Sequence, residues 1–347
     1  MHVSEALACV LAAIALPALV ARATGGRPPW NRSKLAALAP AAIVPAIAAV
    51  IVAAATSWWL ALILAIPAVI LVAWQLPTAR PRPAGPDAAA RSRAAGIGTV
   101  RLRVLSLNAK GGHANAQAVE AAVREHAVDV LAIQELTPGL VRRLDRTDLA
   151  GMLPYRQADP RPGSAGTGLW TRWPLTALPW IEGLRAATPR VRIEPMPGSQ
   201  VTVTAVHPKA PMNGQEGRWQ AELQLIRSEL EGVGGAQVVA GDFNASRDHQ
   251  PFRDLLAAGF LDCADAARSR PWPGYTWPVR RTIPPIMRLD HVLVTRDRAV
   301  AVSEARIVRI PGTDHRAVLA VVELDGSPPV ADADQEVGIS LRQSDSS

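Results

Sequence analysis

Residues 237–244, Gln237-Val238-Val239-Ala240-Gly241-Asp242-Phe243-Asn244, pass from an apolar run straight into groups able to hold a metal or a phosphate. A short apolar run with no polar face marks a strand buried on both sides. The same arrangement recurs outward along the chain. Val100–Leu107 is β-rich and ends at Asn108-Ala109-Lys110-Gly111-Gly112. Val128–Ile133 ends at Gln134-Glu135, and Val201–Val206 ends at His207-Pro208. Leu289–Val294 carries Asp290-His291 at its start, and Ala317–Val322 follows Asp314-His315. Helical spacing falls between these runs, at Val119, Ala122, Val123 and His126 and over 215–231, so the pattern predicts an α/β fold.

Any one of these polar residues has an ordinary explanation, because Asp and Asn after a strand commonly make turns or helix caps. Together, Asn108, Glu135, His207, Asp242, Asn244, Asp290, Asp314 and His315 all stand at strand ends. Sites in α/β proteins are built there, since the sheet fixes the backbone and the loops present the side chains. The eight are therefore expected to converge. Asp248 is expected to cap a helix, Trp277 to pack beneath the site, and His113, His249 and His291 to stand outside the chemistry. Lys110 and Arg190 are further phosphate contacts to consider. Gly163-Ser164-Ala165-Gly166 lacks the full nucleophile-elbow pattern of a serine hydrolase.

The first 77 residues have a different character. No charged residue lies between Lys34 and Arg80, a stretch far longer than the ~20 apolar residues of one membrane span. It divides at Thr56-Ser57 into candidate spans Leu35–Ala55 and Trp58–Leu76, with Trp58, Trp59 and Trp74 near the ends, where indole favours the interface. Ala6–Ala21 is a third candidate, or the core of a signal peptide, although no basic residue precedes it. The expected organisation is a membrane domain of two or three helices over 1–77, a Pro/Ala/Arg-rich linker over 78–98, a catalytic domain over 99–325 and a polar tail over 326–347. The chain would then be an integral plasma membrane protein with the lipid bilayer as a partner. Arg22, Arg27, Arg32 and Lys34 follow the first run, and Arg80, Arg82, Arg91 and Arg93 follow the last. The positive-inside rule places both segments in the cytoplasm. The net charge of +7 and pI of about 10.3 suit contact with phosphates. Two cysteines, Cys9 and Cys263, provide neither a disulfide framework nor a zinc pattern.

Read as a set, Leu105-Ser106-Leu107-Asn108, Ile133-Gln134-Glu135, Val206-His207-Pro208, Gly241-Asp242-Phe243-Asn244, Arg288-Leu289-Asp290-His291-Val292-Leu293 and Thr313-Asp314-His315-Arg316 resemble the endonuclease/exonuclease/phosphatase superfamily. That superfamily includes deoxyribonuclease I, abasic-site endonucleases, inositol-phosphate phosphatases and neutral sphingomyelinases. The resemblance covers most of 100–324. It implies a four-layer α/β sandwich, two mixed β-sheets flanked by helices, and hydrolysis of phosphodiesters or phosphomonoesters with Mg²⁺ or Mn²⁺. Glu135, with Asn108 and Asp314, is the implied metal site. Asp242 is the implied base, Asn244 and His315 the phosphate contacts, Asp290 the partner orienting His315, and His207 the aid to the leaving group. Gly274-Tyr275-Thr276-Trp277-Pro278 resembles a bacterial membrane-anchored branch whose catalytic domain often faces outward. That disagrees with the arginine count, and the side stays unassigned. The substrate could be nucleic acid, a lipid headgroup or a small ester, and a lipid phosphodiesterase or a non-catalytic membrane scaffold are the rival readings.

Overall fold

The computed structural model describes residues 3–25, 32–76, 90, 98–212, 214–269, 274–280, 282 and 284–327. Nearly all of the expected linker over 78–98 and tail over 326–347 lies outside them.

Among the described residues, the N-terminal part forms α1 (Val3–Ala23), α2 (Arg32–Ala37), α3 (Ala39–Ala54) and α4 (Trp58–Gln75). The stretch expected as one span, Leu35–Ala55, is interrupted at Leu38, where α2 stops and α3 starts with Pro40 in its first turn. Proline lacks the N–H that would continue the α2 ladder and suits a helix start. α1 and α4, of 21 and 18 residues, are long and apolar enough to cross a membrane by length and composition, and α3 is shorter. Their packing is inside out compared with a water-soluble bundle. Ala15, Ala18, Ala42, Ala46 and Ala68 meet in the middle, while Ile14, Ile51, Trp58, Leu62 and Ile66 face outward. Small residues between helices with large apolar ones outside is the arrangement that lipid-facing bundles adopt.

The strands are β1 (Thr99–Asn108), β2 (Val130–Gln134), β3 (Tyr155–Asp159), β4 (Thr167–Thr171), β5 (Leu175–Leu178), β6 (Arg190–Ile193), β7 (Val201–Val206), β8 (Ala236–Asp242), β9 (Phe260–Asp262), β10 (Asp290–Thr295), β11 (Ala299–Val308) and β12 (Ala317–Asp325). The helices among them are α5 (Ala116–Glu125), α6 (Pro138–Leu144), α7 (Leu149–Met152), α8 (Glu216–Glu231), α9 (Gln250–Ala257) and α10 (Cys263–Ala266). They form two six-stranded mixed sheets, ordered β11-β12-β1-β2-β4-β3 and β5-β6-β7-β8-β10-β9.

The period-two alternation of the strands separates the layers. Val104, Val130 and Ala132 of one sheet meet Val203, Ala205, Val238 and Val292 of the other. The neighbouring residues point the opposite way. Leu105, Leu131 and Ile133 pack under α5 and α6 through Val119, Val123 and Leu140. Val206, Val239 and Leu293 pack under α8 and α9 through Trp219, Leu223, Ile226 and Phe252. The result is the four-layer sandwich of helices, sheet, sheet and helices, and it explains why these strands are apolar on both faces.

Each sheet has one central parallel pair, β1 with β2 and β7 with β8. The antiparallel partners β12 and β10 lie beside β1 and β8. The C-terminal ends of the parallel strands and the starts of β10 and β12 therefore share one edge of the sandwich.

The helical bundle meets the domain near that edge. Asp248 and His249, in the segment after β8, are buried. Asp248 is not the expected cap, because its carboxylate accepts from Arg22 of α1 and from Gln75 Nε2 of α4 (3.2 Å). The Arg22 guanidinium also stacks on Trp74 at 4.4 Å. The His249 ring accepts from the Ser246 N–H at Nδ1 (2.9 Å) and donates from Nε2 to the Ser33 carbonyl (2.9 Å). Burial pushes this imidazole below its ordinary value, in keeping with a neutral ring.

Candidate active site

The segment Gly241-Asp242-Phe243-Asn244 shows how the site is built. Gly241 pairs in register with Val206 of β7. A Cβ at Gly241 would lie 2.0 Å from the Val206 carbonyl oxygen, so only glycine lets the two strands approach. Phe243 is fully buried and meets Phe252 and His291 edge-on, at 5.5 and 5.7 Å. Asp242 and Asn244 emerge on the other side. Asn244 takes a left-handed backbone (φ 48°), as does Glu135 at the end of β2 (φ 54°). Such conformations are uncommon outside glycine and concentrate at functional positions.

Asp242 is buried and central. Its Oδ1 accepts from the Asn244 N–H (2.8 Å) and its Oδ2 from Asn108 Nδ2 (2.9 Å). Asn108 Nδ2 also reaches Glu135 Oε1 (3.2 Å), and the other Glu135 oxygen accepts from the Gly111 N–H (2.6 Å). His207 and His315 both direct Nε2 at Asp242 Oδ2, at 3.7 and 3.9 Å. His207 Nδ1 lies 3.1 Å from the Ser164 carbonyl, which can only accept, so the proton sits on Nδ1 and Nε2 faces the cavity. His315 Nδ1 is held by Asp290 Oδ2 at 2.9 Å. Burial alone would lower the His315 pKa, but the carboxylates of Asp290, Asp242 and Asp314 override it and push it up to about 10.

Six of the eight expected residues, Asn108, Glu135, His207, Asp242, Asn244 and His315, line one cavity of about 120 Å³. Asp290 stands behind His315, fully buried, and one of its carboxylate oxygens has no hydrogen-bond partner among the described residues. Asp314 is half-buried beside Lys110 (Nζ to Oδ2, 3.8 Å) and does not line the cavity. The Asn244 amide donates to the Pro208 carbonyl (3.0 Å), so one of its N–H groups is already engaged.

Arg185 and Lys209 fall outside the motifs, while Ser164, Thr276 and Thr313 lie within motif stretches that give them no role of their own. Arg185 and Lys209 border the cavity as cations, and Arg185 bonds the Ser164 hydroxyl (2.8 Å). Arg185 lies in a loop without pattern, although Lys209 directly follows His207-Pro208. Ser164 takes part through its carbonyl rather than as a nucleophile. The Thr276 hydroxyl accepts from the Leu289 and Asp290 N–H groups (3.0 and 3.3 Å) and so holds the start of β10. Thr313 donates to the Asn108 carbonyl (2.7 Å), tying the loop before β12 to the end of β1. Trp277 lies against His315, with ring centroids 6.5 Å apart. Arg190 is paired with Glu229 (3.5 Å) and does not border the cavity. His291 bonds Asp262 and the Ala245 carbonyl and supports the loop from behind.

The donor chemistry fits a divalent cation. Carboxylate oxygens of Asp242 and Asp290 lie within 4.8 Å of one another and of a ring nitrogen of His315, although the His315 ring is itself engaged by Asp290 and offers the ion no free donor. The Glu135 carboxylate shares the Asn108 amide nitrogen with Asp242 (3.2 and 2.9 Å). Clustered carboxylates with a buried unpartnered oxygen are stabilised by a cation or a donor.

Residues 105–315, more than half of the chain, match the Endonuclease/Exonuclease/phosphatase family, and the protein belongs to that family. It is a metal-dependent hydrolase acting on phosphoester bonds. Solved structures with a similar fold include D. rerio TDP2 complexed with single-strand DNA product (16% identity, 64% of this chain and 98% of that one, TM-score 0.51). Family proteins from Leptotrichia buccalis (15% identity, 64% and 99%, TM-score 0.51) and Beutenbergia cavernae (20% identity, 66% and 72%, TM-score 0.51) are also similar. At these identities the likeness concerns the fold. No curated protein matches the chain.

Proposed function

We propose that this protein is a membrane-anchored phosphodiesterase that uses Mg²⁺ or Mn²⁺. One observation carries the reading: two carboxylates and two imidazoles from four strand ends face one small cavity, with cations at its rim. A phosphodiester needs its oxygens neutralised, a water positioned and a leaving group protonated. Glu135 and Asn108, with Asp314 beyond Lys110, would hold the cation. Mg²⁺ and Mn²⁺ prefer oxygen donors, and the His315 ring is already engaged by Asp290. When bound, the metal supplies Lewis acidity and lowers the pKa of a coordinated water.

Asp242, fixed by the Asn244 N–H and the Asn108 amide, orients the attacking water and takes its proton. His315, held as imidazolium by Asp290, donates from Nε2 to a phosphoryl oxygen and stabilises the charge that grows there. His207, with its Nδ1 proton held by the Ser164 carbonyl, would donate a second proton from Nε2 to the leaving oxygen when the ring is in its imidazolium form. Asn244 supplies its remaining N–H to the phosphate. Arg185 and Lys209 draw in the anion.

The anchoring half of the reading rests on the inside-out packing of α1, α3 and α4. With the bundle docked beside the catalytic edge, a phosphoester at the membrane surface is the second substrate reading, alongside nucleic acid. The D. rerio relative holding a DNA product speaks for the latter.

The test is hydrolysis by the full-length protein in detergent, assayed on bis(p-nitrophenyl) phosphate, plasmid DNA and sphingomyelin vesicles, with Mg²⁺, Mn²⁺ or EDTA. At least one substrate should turn over with metal and none with EDTA. Glu135→Ala and His315→Ala should each lower kcat by roughly 10³-fold or more while leaving the far-ultraviolet circular dichroism unchanged. Undiminished turnover in both variants contradicts the mechanism.

A further inference from the structure

We propose that the anchor bundle is part of the catalytic apparatus: Arg22 of α1 and Gln75 of α4 are positioning residues for the Asp242–Asn244 loop, acting through Asp248. The proposal rests on the assignment of the cavity as the active site.

The segment that leaves β8 is gripped from three directions before α9 begins. From the sheet, His291 Nε2 meets the Ala245 carbonyl at 3.0 Å. From α8, Trp219 donates to the Phe243 carbonyl (3.5 Å) and packs edge-on against His249, with centroids 5.1 Å apart. The third grip comes from the bundle. Asp248 Oδ1 receives Arg22 and Gln75, while Asp248 Oδ2 meets the Ser246 hydroxyl (3.4 Å). The Ser33 carbonyl takes the His249 N–H, and the Gln250 N–H reaches the Gly25 carbonyl (3.4 Å).

All the bundle residues in this joint belong to one end of it. Arg22 ends α1, Ser33 starts α2 and Gln75 ends α4. At the opposite end, Ser4 bonds Thr56 between α3 and α4 (3.2 Å).

Asp248 follows Asn244 by four residues, a reach of at most ~14 Å even if extended. The segment between them is tied internally, since the Asp248 N–H donates to the Ser246 hydroxyl (3.2 Å) and the Ser246 N–H to His249. A shift at Asp248 is therefore not absorbed by slack chain. It is transmitted to Asn244, whose left-handed backbone supplies the N–H that fixes Asp242. Asp248 is buried, and without Arg22 its carboxylate would be left in the interior short of its charged partner, which drives the segment to rearrange.

Full-length Arg22→Ala, Arg22→Lys and Asp248→Asn proteins in detergent would be compared on bis(p-nitrophenyl) phosphate. This soluble diester needs no delivery to a membrane, so any effect on it concerns the geometry of the site. Arg22→Ala and Asp248→Asn should lower kcat about tenfold or more with KM within about twofold, as a small displacement of a catalytic group does. Arg22→Lys, which keeps the charge, should recover part of the loss. Hydrogen–deuterium exchange over 243–250 should rise in Arg22→Ala and Asp248→Asn, with β1 and β8 still protected. Wild-type kcat in both variants overturns the proposal, and so does unchanged exchange over 243–250. If Arg22→Ala fails to fold, Asp248→Asn and Arg22→Lys decide it by the same two measurements. A wild-type protein inactive on every phosphoester would refute the functional reading alone, and the exchange measurement would still judge the joint.

Discussion

Asp290 shows how much one buried carboxylate can do at the scale of a residue. It touches no cavity wall, yet it holds His315 Nδ1 at 2.9 Å and contributes to the raised His315 pKa. Asp290→Asn removes the charge while keeping the shape. The expected result is a kcat loss of up to roughly 10⁴-fold with an unchanged fold, the loss seen when a carboxylate orienting a catalytic imidazole is neutralised. Steady-state kinetics beside circular dichroism would check it. The eight polar residues are legible in the sequence because each stands at one end of an apolar run. The roles of Arg185, Ser164 and Thr276 are not, because these residues act from loops with no periodicity, and Ser164 acts on His207 through its backbone. Asp248 resembles a helix cap in sequence for a related reason: its partners Arg22 and Gln75 lie more than 170 residues away in the chain.

Among the elements, the central strands are recoverable from sequence and the peripheral ones are not. β2, β7, β8 and β10, with β12 nearly throughout and β1 over its second half, are buried on both faces and appear in the sequence as apolar runs. β3, β5 and β6 are short or partly exposed, and their mixed composition does not separate them from loops. The split of one apolar stretch into α2 and α3 comes from Pro40, which a count of apolar residues overlooks. Close approach between elements is equally invisible to such a count. Gly241→Ala would drive a methyl group onto the Val206 carbonyl and force β7 and β8 apart. We expect a loss of at least about 1–3 kcal/mol, the range for overpacking a core, read as a lowered midpoint in thermal denaturation.

On the scale of the whole molecule, buried ion pairs join distant parts of the chain and make stability depend on pH. Burial alone would raise the Asp262 pKa, but His291 and Arg288 override it and bring the carboxyl down to about 2. His291 faces Asp262 Oδ2 (2.8 Å) and the Ala245 carbonyl (3.0 Å), so both ring nitrogens must carry hydrogen to make the two bonds. The Asp262 pKa is depressed relative to an unfolded value of about 3.9. Its stabilisation is therefore fully present above about pH 4 and is lost as the pH falls through 2. The denaturation midpoint of the wild type should drop across that window more steeply than that of Asp262→Asn, as followed by circular dichroism from pH 5 to 2.

The sequence alone determined that the chain has an apolar N-terminal part, an α/β pattern after it, and a set of polar residues of the kinds that bind metals and phosphates at strand ends. These properties are written locally, in hydrophobic period and in the polar residues that close each apolar run. Only the tertiary structure decided that β10 and β12 return antiparallel, so that their starts meet the ends of β1 and β8. It alone also set which tautomer His207 adopts, and joined Arg22 to Asp248. Such features depend on contacts between residues tens to hundreds of positions apart, and short-range pattern carries no record of which distant partner a buried charge will find.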